Sequence, residues 1–212
     1  MKVLELFAGS RSIGNVAESL GHQVFSVDIH NFDGIDLVID ILNLKKEMIP
    51  FKPDLIWASP PCTYFSVASI GKHWNKNHTP KSKEAYLGLK IMNKTLDVFN
   101  WFPNAHFYME NPRGKMRKKI KRLPRTTIWY CRYGDIRAKP TDIWSNNIYN
   151  PLFNKNGWKP RAECWNNNKN CQHEAAPRGA RTGTQGLKGN YERSKVPTEL
   201  CYEILNTLNC EV

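Results

Sequence analysis

Apolar and polar residues in the first half of the chain alternate between two periods. Short apolar runs at residues 2–7 ("KVLELF"), 23–29 ("QVFSVDI"), 36–41 ("DLVIDI") and 54–59 ("DLIWAS") have the length of strands, and a helical pattern, "SIGNVAESLG", separates the first two. Residues 83–102 carry Ala85, Gly88, Met92, Leu96, Phe99 and Phe102 at intervals of three or four, which predicts a helix with one buried stripe. "AHFYMEN" at 105–111 reads as another central strand, and "TTIWYCRYG" at 126–134 and "TDIWSN" at 141–146 as two more. Short strands joined by helix-length connections predict an α/β fold with a doubly wound, mostly parallel sheet.

From residue 146 to residue 177 the apolar positions lose their period, and asparagine and proline accumulate, so this stretch reads as a small loop-built insertion. Residues 1–145 then form the main α/β domain, and 178–212 a C-terminal segment that completes it. That segment opens in the Gly-rich "PRGARTGTQGLKGN" and ends in a helix, "VPTELCYEILNTL", where Pro197 suits a first turn and Leu200, Ile204 and Leu208 share a face.

A chain of 212 residues, 41% hydrophobic and 24% charged, has the composition of a soluble globular protein with one substantial core. No apolar stretch approaches the roughly 20 residues of a membrane span, and "MKVLELFAG" starts in a strand pattern without a secretory signal, so the expected location is the cytoplasm. Lysine and arginine exceed aspartate and glutamate by 31 − 19 = 12. Eight of these cations stand between residues 113 and 125, "RGKMRKKIKRLPR", without one acid. Such a run is either a solvated helix face or a surface for a polyanion, and the excess elsewhere in the chain moves the balance toward nucleic acid. Six cysteines without a secretory signal point to thiols, metal ligation or catalysis rather than disulfides.

Gly9 and Gly14 bracket the turn after the first strand, where a backbone can approach a ligand and a helix start offers amide donors. Asp28 ends the second strand, either as a turn residue or as a holder of ribose hydroxyls. Asp40, Cys62 and Glu110 also follow strands, so all would emerge around one crevice at the carboxyl ends of the sheet. Cys62 sits in "ASPPCTYFSVAS", where two prolines stiffen the backbone. An isolated cysteine reads first as a small packed hydrophobe. With an acid at a neighbouring strand end, the pair suits covalent addition to an electron-poor ring, sulfur attacking while the acid donates to a ring heteroatom.

"LFAGSRSIG", "SPPCTYFSVAS" and "MENPRG", in this order, resemble the cofactor loop, the Pro-Cys loop and the Glu-Asn element of the DNA cytosine-5 methyltransferases. "KPTDIW", "APRG" and "TGTQG" make the chain similar to the short, phage-type members, over nearly its whole length. The resemblance implies a Rossmann-like methyltransferase fold and S-adenosylmethionine bound by Phe7, Ala8, Gly9, Ser10, Asp28, Ile29, Asp40, Ile41 and Pro60. It also implies attack by Cys62 on ring carbon 6 of cytosine, with Glu110 holding the base, and Pro61, Asn111, Pro112, Arg113 and Lys115 on the substrate side. Arg137 and Lys139 take the basic role of the family's Gln-x-Arg-x-Arg element, which is imperfect here, and "GNYERSKVPTEL" resembles the final element that closes the cofactor pocket. Because a base inside a duplex is out of reach, base flipping is implied too.

Thr63 stands where larger members commonly carry glutamine, and the insertion at 146–177 resembles a reduced target-recognition region, so sequence selectivity is expected either to be relaxed or to be supplied by the basic segment or a protein partner. That insertion holds Cys164, Cys171 and His173, which with Cys131 form a candidate zinc set, against free thiols and a surface histidine. His22, His30, His73, His78 and His106 form no such cluster and are expected in turns or at the surface. Two alternatives to a DNA methyltransferase remain open: a nucleic-acid-binding protein of the same fold without the reaction, and a methyltransferase acting on RNA or a free cytosine nucleotide.

Overall fold

In a computed structural model, which describes residues 1–67, 69–166, 168–175, 187 and 189–209, seven strands form one sheet. They are β1 (Lys2–Leu6), β2 (Gln23–Asp28), β3 (Leu37–Val38), β4 (Leu55–Ala58), β5 (His106–Pro112), β6 (Arg125–Trp129) and β7 (Pro140–Ser145). The helices are α1 (Ser12–Ser19), α2 (Ile70–His73), α3 (Lys83–Trp101), α4 (Asn190–Ser194) and α5 (Thr198–Asn209). The spatial order β3-β2-β1-β4-β5-β7-β6 is parallel except for β7, which runs antiparallel between β5 and β6. The doubly wound, mostly parallel sheet is therefore present, and the order in which strands are added reverses between β1 and β4. In such sheets the crevice beyond the carboxyl ends at that reversal is the place where ligands bind.

The two-residue period of the central strands feeds two cores. Leu4, Leu6, Ile56, Ala58 and Met109 face α3, where they pack with Met92, Val98 and Phe99. Val3, Leu55, Trp57 and Tyr108 face the other way and pack against Ile13, Val16 and Ala17 of α1 and Leu200, Ile204 and Leu208 of α5. Burial on both faces is why these strands read as continuous apolar runs rather than as an alternation. α3 starts at Ser82, whose hydroxyl accepts from the Ala85 amide at 3.1 Å, and ends before Pro103, which disfavours helical backbone at Phe102.

Three expectations change. The strand expected through residue 134 stops at Trp129, because its partner in the antiparallel ladder is Pro140, which offers no N–H for continuation; Tyr130–Tyr133 turn instead into a 3-10 segment closed by Gly134 at φ 79°. The basic run is not a helix face and contains only a short 3-10 turn at Lys115–Lys118. His73, expected at the surface, is buried, with Nδ1 at 2.7 Å from the Ser82 hydroxyl. Among the described residues of 146–175 there is no helix or strand, only the isolated bridges Ile148–Trp158 and Asn150–Asn154. Trp158 nevertheless joins the main core, edge-on to Tyr108 at 5.9 Å. Most of the Gly-rich stretch at 177–190, with its "APRG" and "TGTQG" motifs, and Cys210 lie outside the described residues. No described helix is long and apolar enough to cross a membrane.

Candidate active site

The loop after β1 is held in an uncommon shape. Phe7, Gly9 and Arg11 all adopt positive φ, at 57°, 49° and 52°, which only the glycine takes without strain. Two carboxylates enforce it. Asp28 accepts from the Gly9 amide at 3.0 Å and the His30 amide at 2.8 Å, so the end of β2 grips the loop. Glu5 lies on the α1 face of β1 and accepts from the Ile13 amide at 3.3 Å and the Ser26 hydroxyl at 3.2 Å. Arg11, at the N-cap, supplies no side-chain cap, and the first turn of α1 contains no acid. Glu5 thus does from the sheet what an N-cap carboxylate does from the chain. Gly14 answers to the same residue, since a Cβ there would lie 2.4 Å from Glu5 Oε2. Its place is a close helix–sheet contact rather than the turn expected from its spacing.

Burial pushes the Glu5 carboxyl up to about 7, against the pull of the Gly14 and Ile13 amides, Ser26 and Arg11. Because the folded chain holds this proton more tightly than the unfolded one, its contribution to stability is complete below about pH 4.5 and is lost as the pH rises through 7. Thermal melts should therefore show a loss on the order of 3 kcal/mol between pH 5 and 8 in the wild type. In Glu5→Gln that component should disappear; identical pH profiles for the two proteins would remove Glu5 as its source.

Ile29, 57% exposed, places apolar surface just beyond β2 beside the Gly9 turn. Asp40 caps the next 3-10 turn by accepting from the Leu42 amide at 2.9 Å. The side chain of Ile41, expected beside the cofactor, packs in the hydrophobic core. The C-terminal segment returns over this region: the Val196 amide donates to the Ser12 hydroxyl at 3.1 Å, and Tyr191 packs on Phe32 with ring centroids 5.5 Å apart.

Across the reversal, the Cys62 loop is fastened to the end of β5. The Asn111 side-chain amide donates to the Pro60 carbonyl at 2.8 Å, and the Lys115 amide donates to the Phe65 carbonyl at 2.7 Å. Pro60 is buried, Pro61 and Thr63 are exposed, and the Cys62 carbonyl accepts from the Phe65 and Ser66 amides, each at 2.9 Å. Pro112 stays in the ladder opposite Thr141, and the Arg113 guanidinium lies over the Trp129 ring at 5.4 Å.

Glu110 is buried, and its Oε1 accepts from the Tyr130 hydroxyl at 2.8 Å with Lys139 Nζ 3.7 Å away. Oε2 takes part in neither contact. Burial and the Glu110 charge push the Cys62 thiol up, while Lys139 and Arg193 pull it down. Lys139 is itself buried, which lowers its ammonium, with Glu110 and Cys62 acting in the opposite sense. Cys62, Glu110 and Lys139 are therefore one electrostatic group at the crevice. The Arg137 guanidinium pairs with Asp135 and donates to the carbonyls of Glu192, Arg193 and Lys195, so it ties α4 and the C-terminal segment down, and it lies over the Tyr130 ring at 5.3 Å. Sequence reading missed Tyr130, Arg193 and Glu5. Tyr130 sits inside an apolar run, where an aromatic residue signals only core.

The basic run is partly spent on structure. Arg117 and Arg125 both pair with Asp142, which is fully buried, at 2.5 and 3.2 Å. Lys115, expected on the substrate side, is 6% exposed, with Nζ at 2.8 Å from His78 Nδ1. Arg113, Lys118, Lys121 and Arg122 remain at least partly exposed. Cys131, Cys164, Cys171 and His173 are brought together in a second cluster.

No family model matches the chain. Over 154 residues, 69% of its length, it is 29% identical to a frog virus 3 (isolate Goorha) protein, 71% of which is covered, that carries the name "Probable DNA (cytosine-5)-methyltransferase". Two solved structures share its fold. One, described as a DNA modification methyltransferase encoded within a prophage of E. coli, has a TM-score of 0.50 at 16% identity over 68% of this chain and 46% of its own. The other, the Entamoeba histolytica methyltransferase EhMeth, has a TM-score of 0.50 at 15% identity over 77% of this chain and 57% of its own. The chain thus spans about half the length of these solved structures. The chain is similar in sequence to the viral protein over about two thirds of its length and shares its fold with the two methyltransferase structures.

Proposed function

We propose that the protein is an S-adenosylmethionine-dependent DNA cytosine-5 methyltransferase acting through a covalent Cys62 adduct. The observation that carries this reading is the coupled group of Cys62, Glu110 and Lys139 at the crevice where the sheet reverses, next to the strained loop after β1. The residues there fit a nucleoside cofactor. The turn at Phe7, Ala8, Gly9 and Ser10 is held open by Asp28, whose carboxylate oxygens keep lone pairs for ribose hydroxyls, and exposed Ile29 offers an apolar face to a purine. When bound, the cofactor supplies the methyl group.

The chain's own residues do the rest. As Cys62 Sγ bonds to ring carbon 6 of a flipped-out cytosine, its S–H bond breaks and that proton ends on ring nitrogen 3 by way of Glu110, which makes carbon 5 nucleophilic; after methylation, loss of the carbon-5 proton to water expels the sulfur, which takes the ring-nitrogen proton back, and restores the ring. The resting thiol keeps its proton because burial penalises the thiolate, and the Lys139 ammonium offsets part of that penalty when the sulfur attacks. Tyr130 and Lys139 hold Glu110 by Oε1, which turns the carboxyl group so that Oε2 meets the ring nitrogen and exocyclic amine. Asn111, through Pro60, keeps the nucleophile and the acid in register. Arg113, Lys118, Lys121 and Arg122 offer phosphate contacts along the DNA.

Methyl transfer from labelled S-adenosylmethionine to duplex DNA, RNA and a cytosine nucleotide, run in parallel, tests this. Label is expected in DNA, together with a denaturation-resistant adduct on DNA containing 5-fluorocytosine. Label confined to RNA or the nucleotide would reassign the substrate. DNA binding with neither label nor adduct would make the protein a binder that kept only the fold.

A further inference from the structure

Cys131, Cys164, Cys171 and His173 place four ligand atoms within 4.8 Å of one another, although they come from segments up to 42 residues apart in sequence, 173 − 131. We propose that they form a closed, structural zinc site, three thiolates and one imidazole, that clamps the insertion to the catalytic half of the molecule. It is independent of the methyltransferase reading, and none of its ligands is assigned to the reaction.

The geometry is close to what a tetrahedral ion needs. Zn–S bonds of about 2.3 Å and Zn–N bonds of about 2.0–2.1 Å imply ligand separations of roughly 3.4–3.8 Å, so shifts of less than about 1 Å close the sphere. Cys164 Sγ and His173 Nδ1 already stand 3.8 Å apart. Three of the four residues are buried, Cys131 at 3%, Cys164 at 4% and His173 at 7% exposure, and none of the described cysteines is in a disulfide. A disulfide would use two of the three thiols and leave the third facing the imidazole. A soft donor set of three sulfurs and one nitrogen in tetrahedral array selects zinc among the common cellular ions.

The surroundings show why a metal is needed. Residues 159–175 form no helix or strand where described, and the apolar cluster at this point amounts to Trp129, Ala138 and the cysteines themselves. Arg161 anchors the start of the segment through ion pairs to Glu199 and Glu203, each at 2.7 Å; around the ligands themselves it is held by single hydrogen bonds: Glu174 amide to Ile136 carbonyl at 2.9 Å, Gln172 side chain to Cys131 carbonyl at 3.0 Å, and Arg132 to the Glu163 carbonyl at 2.9 Å. Four coordinate bonds contribute far more to holding such a segment than these can, and binding releases the three thiol protons as one zinc(II) is taken up. Cys131 directly follows Tyr130, and the Ile136 contact adjoins Arg137, so the clamp fixes the turn that presents both.

The full chain, purified without a metal-binding tag, is expected to hold about one zinc per molecule. Cys164→Ser and Cys171→Ser should lose it, and Cys62→Ser should keep it. In wild-type protein loaded with cobalt(II), the visible bands of a tetrahedral ion and a thiolate charge-transfer band should appear, which reads the site even where a variant fails to fold. Stripping the metal should open the chain to trypsin cleavage after Arg161 and Lys169. Metal-free protein with three freely reactive thiols, a disulfide within the cluster, zinc retained in both variants, or equal trypsin resistance with and without metal would each overturn the proposal.

Discussion

Cys62→Ser is expected to lower methyl transfer at least about 10³-fold while leaving S-adenosylmethionine binding unchanged. The separation of the two effects follows from topology. Cys62 follows β4, whereas the loop proposed to hold the cofactor follows β1 and is secured by Glu5 and Asp28, neither of which the substitution touches. A serine hydroxyl in the same place gains nothing from Lys139, because a buried alkoxide lies far beyond what one ammonium can stabilise. Transfer rates under single turnover, paired with calorimetry of cofactor binding, give both readouts. A variant that retains wild-type rates would end the nucleophile assignment, and one that loses cofactor affinity would mean that the two loops are coupled.

The second large effect is expected at a residue with no chemistry of its own. A Cβ on Gly114 would lie 2.3 Å from the Phe65 carbonyl oxygen, a backbone atom that already accepts from the Lys115 amide at 2.7 Å. Gly114→Ala must therefore drive the end of β5 away from the Cys62 loop. Overpacking of this kind costs about 1–3 kcal/mol, and a displacement near 1 Å between reacting groups lowers turnover about 100-fold. Thermal melts and turnover at saturating DNA should register both losses. Gly71→Ala, where an added Cβ meets nothing within 4 Å, should leave both nearly unchanged. If the two alanine variants behave alike, the close approach of β5 to the Cys62 loop does not position the nucleophile.

Both expectations rest on contacts that the linear pattern only partly foreshadows. The apolar runs at 2–7, 23–29, 54–59 and 105–111 and the three-or-four spacing in 83–102 were enough for the sheet and its long helix, since strands covered on both faces and a helix covered on one each leave a local signature. Where the deciding partner is distant, the signature fails. Trp129, Tyr130 and Cys131 continue an apolar run, yet the strand ends because Pro140 stands across from Trp129. Arg117 and Arg125 look like free charge, yet Asp142 lies beneath them in the neighbouring strand. Glu5 looks like a stray acid in an apolar strand, and its reason is the start of α1 above it.

By itself, the sequence determined the fold class, the strand ends that carry Asp28, Cys62 and Glu110, and the cysteines and histidine available to a metal, because burial period and residue type are properties of short stretches of chain. Only the tertiary structure decided which of these meet. It set Lys139 between Glu110 and the Arg193 carbonyl, tied Arg137 to Asp135 and the C-terminal carbonyls, and gathered Cys131 with Cys164, Cys171 and His173. Those choices depend on strand order and on close approaches such as Gly114 to Phe65, where residues 49 positions apart, 114 − 65, compete for the same few ångströms.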